Sequence, residues 1–367
     1  MKIRAAVLNG PNKPFGIEDL TLDNPKCGEV LVRVAAAGVC HSDWNLVTGA
    51  TKHPMPVVPG HEGAGVVEAI GEGVDHVAVG DHVILNWAPA CGRCFYCLRD
   101  RPNLCETYTG PIWAGTMLDG TTRLHRADGS DVYAFCGLAA FATHTVVPRQ
   151  SCVIIRKDVP LDVAALVGCA VATGVGAAMF TANVKRGESV LVLGCGGVGL
   201  NILQGARLCG ASPILAVDAQ PVKIWVAKHF GADSVVMTSD DIVAITRHHT
   251  NGRGADHVFD ATGIPAVQER ALDCVRPGGT LTLAGLAAMG TATNFPSAVI
   301  TRQEKTIKGS YYGSVNAPRD FPMLVELYKS GKLNLDDLIT RRYALEQINE
   351  AFAEMNAGKI ARAIVNM

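Results

Sequence analysis

The pattern of apolar and polar positions changes once along the chain, near residue 170. Before that point, short apolar runs are separated by Gly and Pro, as in Glu29–Val34, Gly63–Glu68 and Asp81–Leu85. Runs of this length between turn residues predict short β-strands. The first part of the chain therefore predicts a β-rich domain, with an irregular lobe over residues 86–115.

After residue 170, buried apolar runs alternate with segments of helical periodicity. Helices are predicted at Leu200–Cys209 and Val222–Phe230, between successive strands. The predicted strands are Ser189–Leu193, Ile214–Asp218, Ser234–Met237, His257–Asp260, Thr280–Leu283 and Thr306–Lys308. Strands that alternate with helices at this spacing predict a parallel, doubly wound sheet of the Rossmann type.

The last segment, from about Tyr311, breaks this alternation. It carries two amphipathic helices, Phe321–Ser330 and Leu345–Ala357, and a final strand, Ala361–Val365. We assign it to the first domain, which makes that domain discontinuous. The prediction is an α/β chain with one domain over residues 1–170 and 311–367, and a second over residues 171–310.

Charge and composition exclude some classes of function. The 33 Lys and Arg residues nearly cancel the 34 Asp and Glu residues, so no broad field favours nucleic acid or an anionic membrane. The start, Met1 to Arg4, leads directly into a strand-like run, and we predict neither a signal peptide nor an apolar run long enough to cross a bilayer. A cytoplasmic protein is expected, whose twelve cysteines are reduced and, where clustered, bind metal.

A glycine-rich turn follows the strand Ser189–Leu193 and opens the next helix. Such a turn alone also fits a structural connection. Here Asp218 ends the second strand, where a carboxylate can accept hydrogen bonds from the adenosine ribose and repel a 2′-phosphate. Lys223 could close over the same ribose. The turn residues are Gly194, Gly196, Gly197, Val198 and Gly199. The pattern predicts an NAD site with the pyrophosphate at the helix N-terminus.

Four cysteines lie within fifteen residues, at Cys91, Cys94, Cys97 and Cys105. An iron–sulfur cluster and unrelated buried thiols are alternatives. The spacing in a loop suits a closed tetrahedral zinc site better, and such a site leaves no position for a substrate. The cluster therefore predicts a structural zinc.

The chain resembles the zinc-dependent medium-chain alcohol dehydrogenases over essentially its whole length. The resemblance is carried by Gly38–Asp43, Pro59–Gly63, the four-cysteine lobe, Gly168-Cys169, the glycine-rich turn with Asp218, and Gly358–Arg362. It implies a GroES-like catalytic domain and a second, catalytic zinc held by Cys40, His61 and Cys169. Glu62 would be able to approach that metal, and Asp43 would fix the tautomer of His61.

The resemblance also implies a mechanism. Zinc lowers the pKa of the alcohol, Ser42 accepts the proton and passes it to the nicotinamide ribose, and hydride passes to the nicotinamide ring. The implied pyrophosphate contacts are His41 and Arg362. Thr173 and Val198 match positions near the nicotinamide, where plain packing is the alternative. The matching substrate-pocket positions are Trp87, Phe135, Leu286 and Tyr311.

Two positions depart from the family pattern. Asn45 stands where well-known members have the histidine that ends the proton relay. An amide is not a base near pH 7, so either water or another group completes the relay. Thr109 stands where enzymes for the glutathione adduct of formaldehyde have a carboxylate-binding arginine.

The expected function is interconversion of a primary alcohol, extended or aryl, and its aldehyde with NAD and two zinc ions. The alternatives are oxidation of a formaldehyde–thiol adduct and an inactive zinc protein of the same fold. By the same resemblance, the segment Tyr108–Phe141, which is longer than in the family's tetrameric microbial members, implies a homodimer.

Overall fold

The computed structural model describes all 367 residues, which fall into two units. Unit 1 comprises Met1–Cys169 and Asn316–Met367, and unit 2 comprises Ala170–Val315. The strands are β1 (Lys2–Leu8), β2 (Phe15–Leu22), β3 (Glu29–Gly38), β4 (Val57–Val58), β5 (Gly63–Ile70), β6 (His82–Leu85), β7 (Leu124–His125), β8 (Asp131–Ala134), β9 (His144–Pro148), β10 (Cys152–Ile155), β11 (Val190–Leu193), β12 (Ile214–Asp218), β13 (Ser234–Met237), β14 (Ala255–Asp260), β15 (Val275–Leu283), β16 (Thr306–Gly309), β17 (Ile339–Ala344) and β18 (Arg362–Asn366). The α-helices are α1 (His41–Val47), α2 (Glu106–Ala114), α3 (Leu161–Leu166), α4 (Ala172–Gly176), α5 (Gly197–Leu208), α6 (Val222–His229), α7 (Ile242–His249), α8 (Pro265–Cys274), α9 (Ser297–Gln303), α10 (Ala317–Lys329) and α11 (Ile348–Asn356).

Unit 1 is built on two β-structures. Strands β1, β2, β7, β8 and β4 close into a small barrel, and a second sheet runs in the order β10-β6-β5-β3-β18-β17 with β9 also paired to β3. Side chains alternate across a strand, so Ile3, Ala5 and Val7 of β1 all point into one buried cluster. The C-terminal strand β18 pairs antiparallel with β3, which returns the end of the chain to the first domain.

Unit 2 is a six-stranded parallel sheet in the order β13-β12-β11-β14-β15-β16. The central strand β11 is buried at every position, as expected for a strand covered by helices on both faces. The strand order reverses between β11 and β14. In open parallel sheets, ligands bind outside the carboxyl ends of the strands at this point.

The limits of unit 2 differ slightly from the predicted ones. The chain leaves unit 2 after Val315, five residues later than the predicted end at 310. The reason is a short helical turn, Tyr312–Ser314, that packs against α4. A Cβ added to Gly313 would lie 2.8 Å from the Thr173 carbonyl oxygen, so this turn and α4 are in close contact.

Three local predictions were wrong. The lobe predicted as irregular contains helix α2, which begins directly after Cys105. The helical stretch Leu161–Ala182 is long and apolar enough to cross a membrane, whereas we predicted that the chain has no such run. Its most apolar 18 residues are 89% buried inside the protein. Strand β15 begins at Val275 instead of Thr280, and its register with β14 shifts between the pairs Ala255–Val275 and His257–Thr280, so an irregular stretch precedes the predicted strand.

Candidate active site

Four potential metal ligands converge inside unit 1. Cys40, His61, Glu62 and Cys169 each place one ligand atom within 4.8 Å of the other three, and all four side chains are buried. Cys40 immediately precedes α1, while His61 and Glu62 immediately precede β5. Cys169 lies in a π-helical turn, Val167–Val171, between α3 and α4. Such turns are rare inside helices and are frequent at functional sites.

Asp43 holds the His61 ring in place. Its Oδ2 lies 3.1 Å from His61 Nδ1, and its Oδ1 accepts a hydrogen bond of 2.8 Å from the Gly60 N–H. Gly60 has φ +94°, and a Cβ there would collide with the Phe141 backbone, so the turn requires glycine. With Nδ1 facing a carboxylate, the buried Nε2 of His61, which has no hydrogen-bond partner, is the nitrogen left for a metal.

The donor set fits zinc. Two thiols and an imidazole are typical zinc ligands, and three protein ligands leave a coordination position open. The pKa of the Cys40 thiol is lowered, first by its hydrogen bond with Cys169 and then by the proximity of His61. The same hydrogen bond and burial raise the pKa of Cys169. The chain therefore stabilises a thiolate at Cys40, which is the form that binds metal.

Glu62 and Arg362 form a fully buried ion pair beside these ligands. The Arg362 guanidinium donates to Glu62 Oε2, and Arg362 is only 6% exposed. Burial raises the pKa of Glu62 to about 8 despite the positive charge of Arg362. A Cβ at Gly38 would clash with the Glu62 carboxylate, so Gly38 makes room for the pair. The guanidinium of Arg362 faces Glu62 in this structure. Its contact with the cofactor pyrophosphate stays a prediction.

The four-cysteine lobe forms a second potential metal site. One sulfur from each of Cys91, Cys94, Cys97 and Cys105 lies within 4.8 Å of the others. The Cys91 N–H donates to Cys105 Sγ at 3.3 Å, and a hydrogen bond from Thr107 lowers the pKa of Cys91 to about 6. Four cysteines at these distances suit a closed zinc site and leave no position for a substrate.

Helix α1 carries the residues of the predicted proton relay. Ser42 and Asn45 are three residues apart in this helix, so both side chains lie on the same face. His41 begins the helix at an exposed position. The helix starts directly after the ligand Cys40, so Ser42 lies two residues from that ligand in sequence. The roles of Ser42 and His41 stay predictions.

The glycine-rich turn of unit 2 has the geometry of a dinucleotide site. Gly194 has φ +95°, which makes the tight turn after β11. A Cβ on Gly199 would collide with the Gly194 carbonyl, so this glycine allows close packing of α5 on the turn. A Cβ on Gly196 would meet nothing within 4 Å, which leaves open space over the helix N-terminus. These are the three separate roles of the glycines in a pyrophosphate-binding turn.

Asp218 is fixed at the end of β12, next to this turn. One carboxylate oxygen accepts from the Cys195 N–H at 2.8 Å, and the other accepts from the Gln220 N–H at 2.9 Å. Lys223, on α6, is buried in the same region of unit 2. Thr173 lies on α4, where Gly174 packs directly against the Val198 carbonyl at the start of α5. The structure therefore brings Thr173 and Val198 close together, as the predicted cofactor site requires.

Two aromatic rings pack against His61 in unit 1. Phe135 and Trp87 meet the His61 ring edge-on, with centroid distances of 5.7 and 6.5 Å. Two further rings, His53 at 5.6 Å and Trp113 at 6.2 Å, contact Phe135 and were not predicted. The positions of His53 and Trp113 in the sequence give no sign of these contacts, because the contacts form only when the loop before β4 and helix α2 pack against Phe135. The other predicted pocket residues, Leu286 and Tyr311, lie in unit 2 and are 62% and 37% exposed.

Comparison with known proteins identifies the family. The alcohol dehydrogenase GroES-like domain matches residues 26–157, and the zinc-binding dehydrogenase domain matches residues 197–330. The chain is 40% identical to the NDMA-dependent alcohol dehydrogenase of Amycolatopsis methanolica, over 100% of this chain and 99% of the relative. It is 38% identical to the S-(hydroxymethyl)glutathione dehydrogenase of Saccharomyces cerevisiae, over 100% and 96%.

A solved structure supports the same assignment. The benzyl alcohol dehydrogenase of Acinetobacter calcoaceticus superposes with a TM-score of 0.95 at 32% identity, covering 100% of this chain and 99% of that one. The matches span both units of the chain. The chain belongs to the zinc-dependent medium-chain alcohol dehydrogenases, oxidoreductases that interconvert alcohols and aldehydes with a nicotinamide cofactor.

Proposed function

We propose that this dehydrogenase acts on primary alcohols with an aryl or extended apolar group, and that NAD is its cofactor. The observation that carries the substrate class is the pair of rings, Trp87 and Phe135, set edge-on against the metal ligand His61. Flat apolar walls next to the reacting position favour a flat apolar substituent over a bulky secondary alcohol.

The residues of unit 1 have distinct tasks in this proposal. Cys40, His61 and Cys169 hold the catalytic zinc, and Asp43 keeps His61 in the tautomer that binds it. Bound zinc supplies Lewis acidity, which lowers the pKa of an alcohol. Ser42 accepts the alcohol proton, and the buried rings of Trp87 and Phe135 exclude water from the ligands. Asn45 cannot act as a base, so the proton leaves the relay through solvent.

The residues of unit 2 bind the cofactor in this proposal. The open space above Gly196 receives the pyrophosphate, and Asp218 receives the adenosine ribose hydroxyls. NAD is preferred because the fixed Asp218 carboxylate would repel the 2′-phosphate of NADP. Thr173 and Val198, which the contact of α4 with α5 brings together, lie at the nicotinamide end.

Oxidation of a formaldehyde–thiol adduct is the second candidate. It is favoured by the 38% identity to an S-(hydroxymethyl)glutathione dehydrogenase. Thr109 weighs against the glutathione form, because its hydroxyl donates to the Cys105 carbonyl at 2.8 Å and carries no positive charge for a carboxylate.

A homodimer and a cytoplasmic location complete the proposal. The homodimer rests on the long segment Tyr108–Phe141, and the location rests on the twelve free cysteines of the chain.

An absorbance assay at 340 nm tests the proposal. Purified protein with NAD is given ethanol, hexanol, benzyl alcohol and cinnamyl alcohol, and separately formaldehyde with and without glutathione or another low-molecular-weight thiol. We expect the highest kcat/KM for the aryl alcohols. Turnover that requires formaldehyde together with a thiol would instead favour the second candidate. Absence of turnover with every alcohol would contradict the proposed function.

A further inference from the structure

Three connections of unit 2 meet at the amino-terminal edge of its parallel sheet. They lead from α7 into β14, from α8 into β15 and from α9 into β16, which are three neighbouring strands. All strands of this sheet are parallel, so their starts lie on the edge opposite to the glycine-rich turn and Asp218, which lie at the carboxyl ends of β11 and β12. The cofactor turn therefore occupies one edge of the sheet, and the three connections occupy the other.

The three connections surround a cavity of about 640 Å³, a size typical of small-molecule sites. We call it the basic cavity, because four of its lining side chains are cationic and only one is a carboxylate. These residues are Arg247, Arg253, Arg276, Lys305 and Asp273. Arg247, Arg253 and Asp273 are exposed, so a solute can reach the cavity from the solvent.

Two of the four cations have partners within the chain. Arg276 Nε donates to Asp256 Oδ1 at 2.6 Å, so the charge of Arg276 has a counter-ion. Lys305 is only 8% exposed, and its Nζ donates to the Leu272 carbonyl oxygen at 2.7 Å, which is a partner without charge.

Arg247 and Arg253 have no such partners. Neither guanidinium donates a hydrogen bond or forms an ion pair within the chain, and Asp273 forms no ion pair either. Burial lowers the pKa of Lys305, and the positive charge of Arg247 lowers it further, whereas Asp273 raises it. Like charges therefore lie close together in the basic cavity, where three cations without a counter-ion oppose one carboxylate.

A structural role at helix ends is the alternative, because cations near a helix C-terminus interact favourably with the helix dipole. It accounts for Arg247, in the last turn of α7, and for Lys305, which binds a carbonyl in the last turn of α8. It does not account for Arg253, which lies four residues beyond His249, the last residue of α7.

We propose that the basic cavity binds a small anion that carries two phosphate groups. Guanidinium groups bind phosphate oxygens through paired, charge-assisted hydrogen bonds, and Arg247 and Arg253 have all their side-chain donors available. A single phosphate would fill only a small part of the cavity, so a diphosphate suits both the volume and the charge. The site is separate from the cofactor turn and from the metal ligands, and it does not depend on the proposed alcohol substrate.

Calorimetric titration of the zinc-loaded enzyme with inorganic pyrophosphate, at low ionic strength and saturating NADH, tests the proposal. NADH keeps the cofactor turn occupied, and metal analysis after the titration checks that zinc is retained. We expect one binding event per chain, which weakens at higher ionic strength because salt screens exposed charges. Uridine diphosphate is titrated in the same way. Binding of either compound supports the site, and the tighter ligand shows whether an inorganic or an organic diphosphate is preferred.

Variants of the basic cavity should change the affinity in opposite directions. Arg253→Gln should weaken pyrophosphate binding by about tenfold, because it removes a charge-assisted contact. Asp273→Asn should strengthen binding by about two- to fivefold, because it removes a carboxylate that repels the anion. The controls are Arg302→Gln, at an exposed position outside the lining, and Glu72→Gln, at an exposed position in unit 1. They make the same changes of charge and should bind pyrophosphate like the wild type. All four variants should retain alcohol dehydrogenase activity.

Absence of binding at millimolar pyrophosphate would overturn the inference. An unchanged affinity in Arg253→Gln, or an equal loss in Arg302→Gln, would also overturn it, because the anion would then bind elsewhere. If Arg247→Gln combined with Arg253→Gln lowers the melting temperature but leaves pyrophosphate binding unchanged, the arginines stabilise the helix ends instead. In each of these cases the proposed function would stand.

Discussion

Asp43→Asn tests how the chain prepares His61 for metal. The asparagine keeps the shape of Asp43, and its Oδ1 can still accept the 2.8 Å hydrogen bond from the Gly60 N–H. Its amide NH2 group would then face His61 Nδ1, at the position where Asp43 Oδ2 lies 3.1 Å away. Two donors would oppose each other, so the ring would favour the tautomer with the proton on Nε2, which cannot bind a metal.

The expected effect is a selective loss of zinc affinity at one site. Replacement of the partner that orients a ligand histidine weakens metal binding by about 10- to 100-fold, or about 1.4 to 2.8 kcal/mol. Competition with a chromogenic zinc chelator measures the affinity of both sites, and the four-cysteine site provides an internal reference. Turnover at limiting zinc should fall by a similar factor and should recover in excess zinc.

Asp320→Asn is the matched control. Asp320 is also a buried aspartate of unit 1, 1% exposed, and it accepts a backbone hydrogen bond of 2.7 Å from Asn316. Because its partners Asn316 and Arg319 do not belong to the group of Cys40, His61 and Cys169, its replacement should lower thermal stability without a change in zinc affinity at that group. If Asp43→Asn binds both zinc ions as tightly as the wild type, or if the two variants lose zinc equally, the role given to Asp43 is wrong.

Three further predictions follow from the same sites. Cys97→Ala should lower the melting temperature and reduce the zinc content to about one ion per chain, because the metal stabilises the four-cysteine lobe. Calorimetry measures the melting temperature and metal analysis the zinc content. An unchanged melting temperature would contradict the prediction. Asp218→Ala should weaken NAD binding by about 10- to 100-fold and reduce the preference for NAD over NADP, as measured by kcat/KM with each cofactor. Equal kcat/KM of the wild type with the two cofactors would refute the role of Asp218. Asn45→His should increase alcohol oxidation near pH 7 by no more than roughly tenfold and little at alkaline pH, where hydroxide takes the proton; an unchanged pH–rate profile would show that solvent already completes the relay.

Local patterns explain which parts of the fold were predictable from sequence. Strands β12 and β13 begin and end where predicted, because their short apolar runs lie between clear helical segments. The four-cysteine group was also predictable, since all its ligands lie within one lobe of fifteen residues. In such segments the interactions that fix the structure are close in sequence.

Other parts of the site depend on contacts between distant segments. Glu62 and Arg362 are 300 residues apart, and only the pairing of β18 with β3 returns Arg362 to the metal ligands. Cys169 could be assigned only through the family resemblance, because a π-helical turn far from Cys40 has no spacing signal. His53 was missed for a similar reason, since its contact with Phe135 joins two loops that are separate in sequence.

Zinc analysis of the wild type and of Cys169→Ala, paired with turnover, tests the catalytic role of the open metal site most directly. We expect two zinc ions per chain in the wild type. Cys169→Ala should remain folded, retain about one zinc in the four-cysteine lobe and lose alcohol oxidation, because the group of Cys40, His61 and Cys169 serves chemistry and not folding. A wild type with one zinc per chain, or a Cys169→Ala variant that still oxidises alcohols, would contradict this assignment.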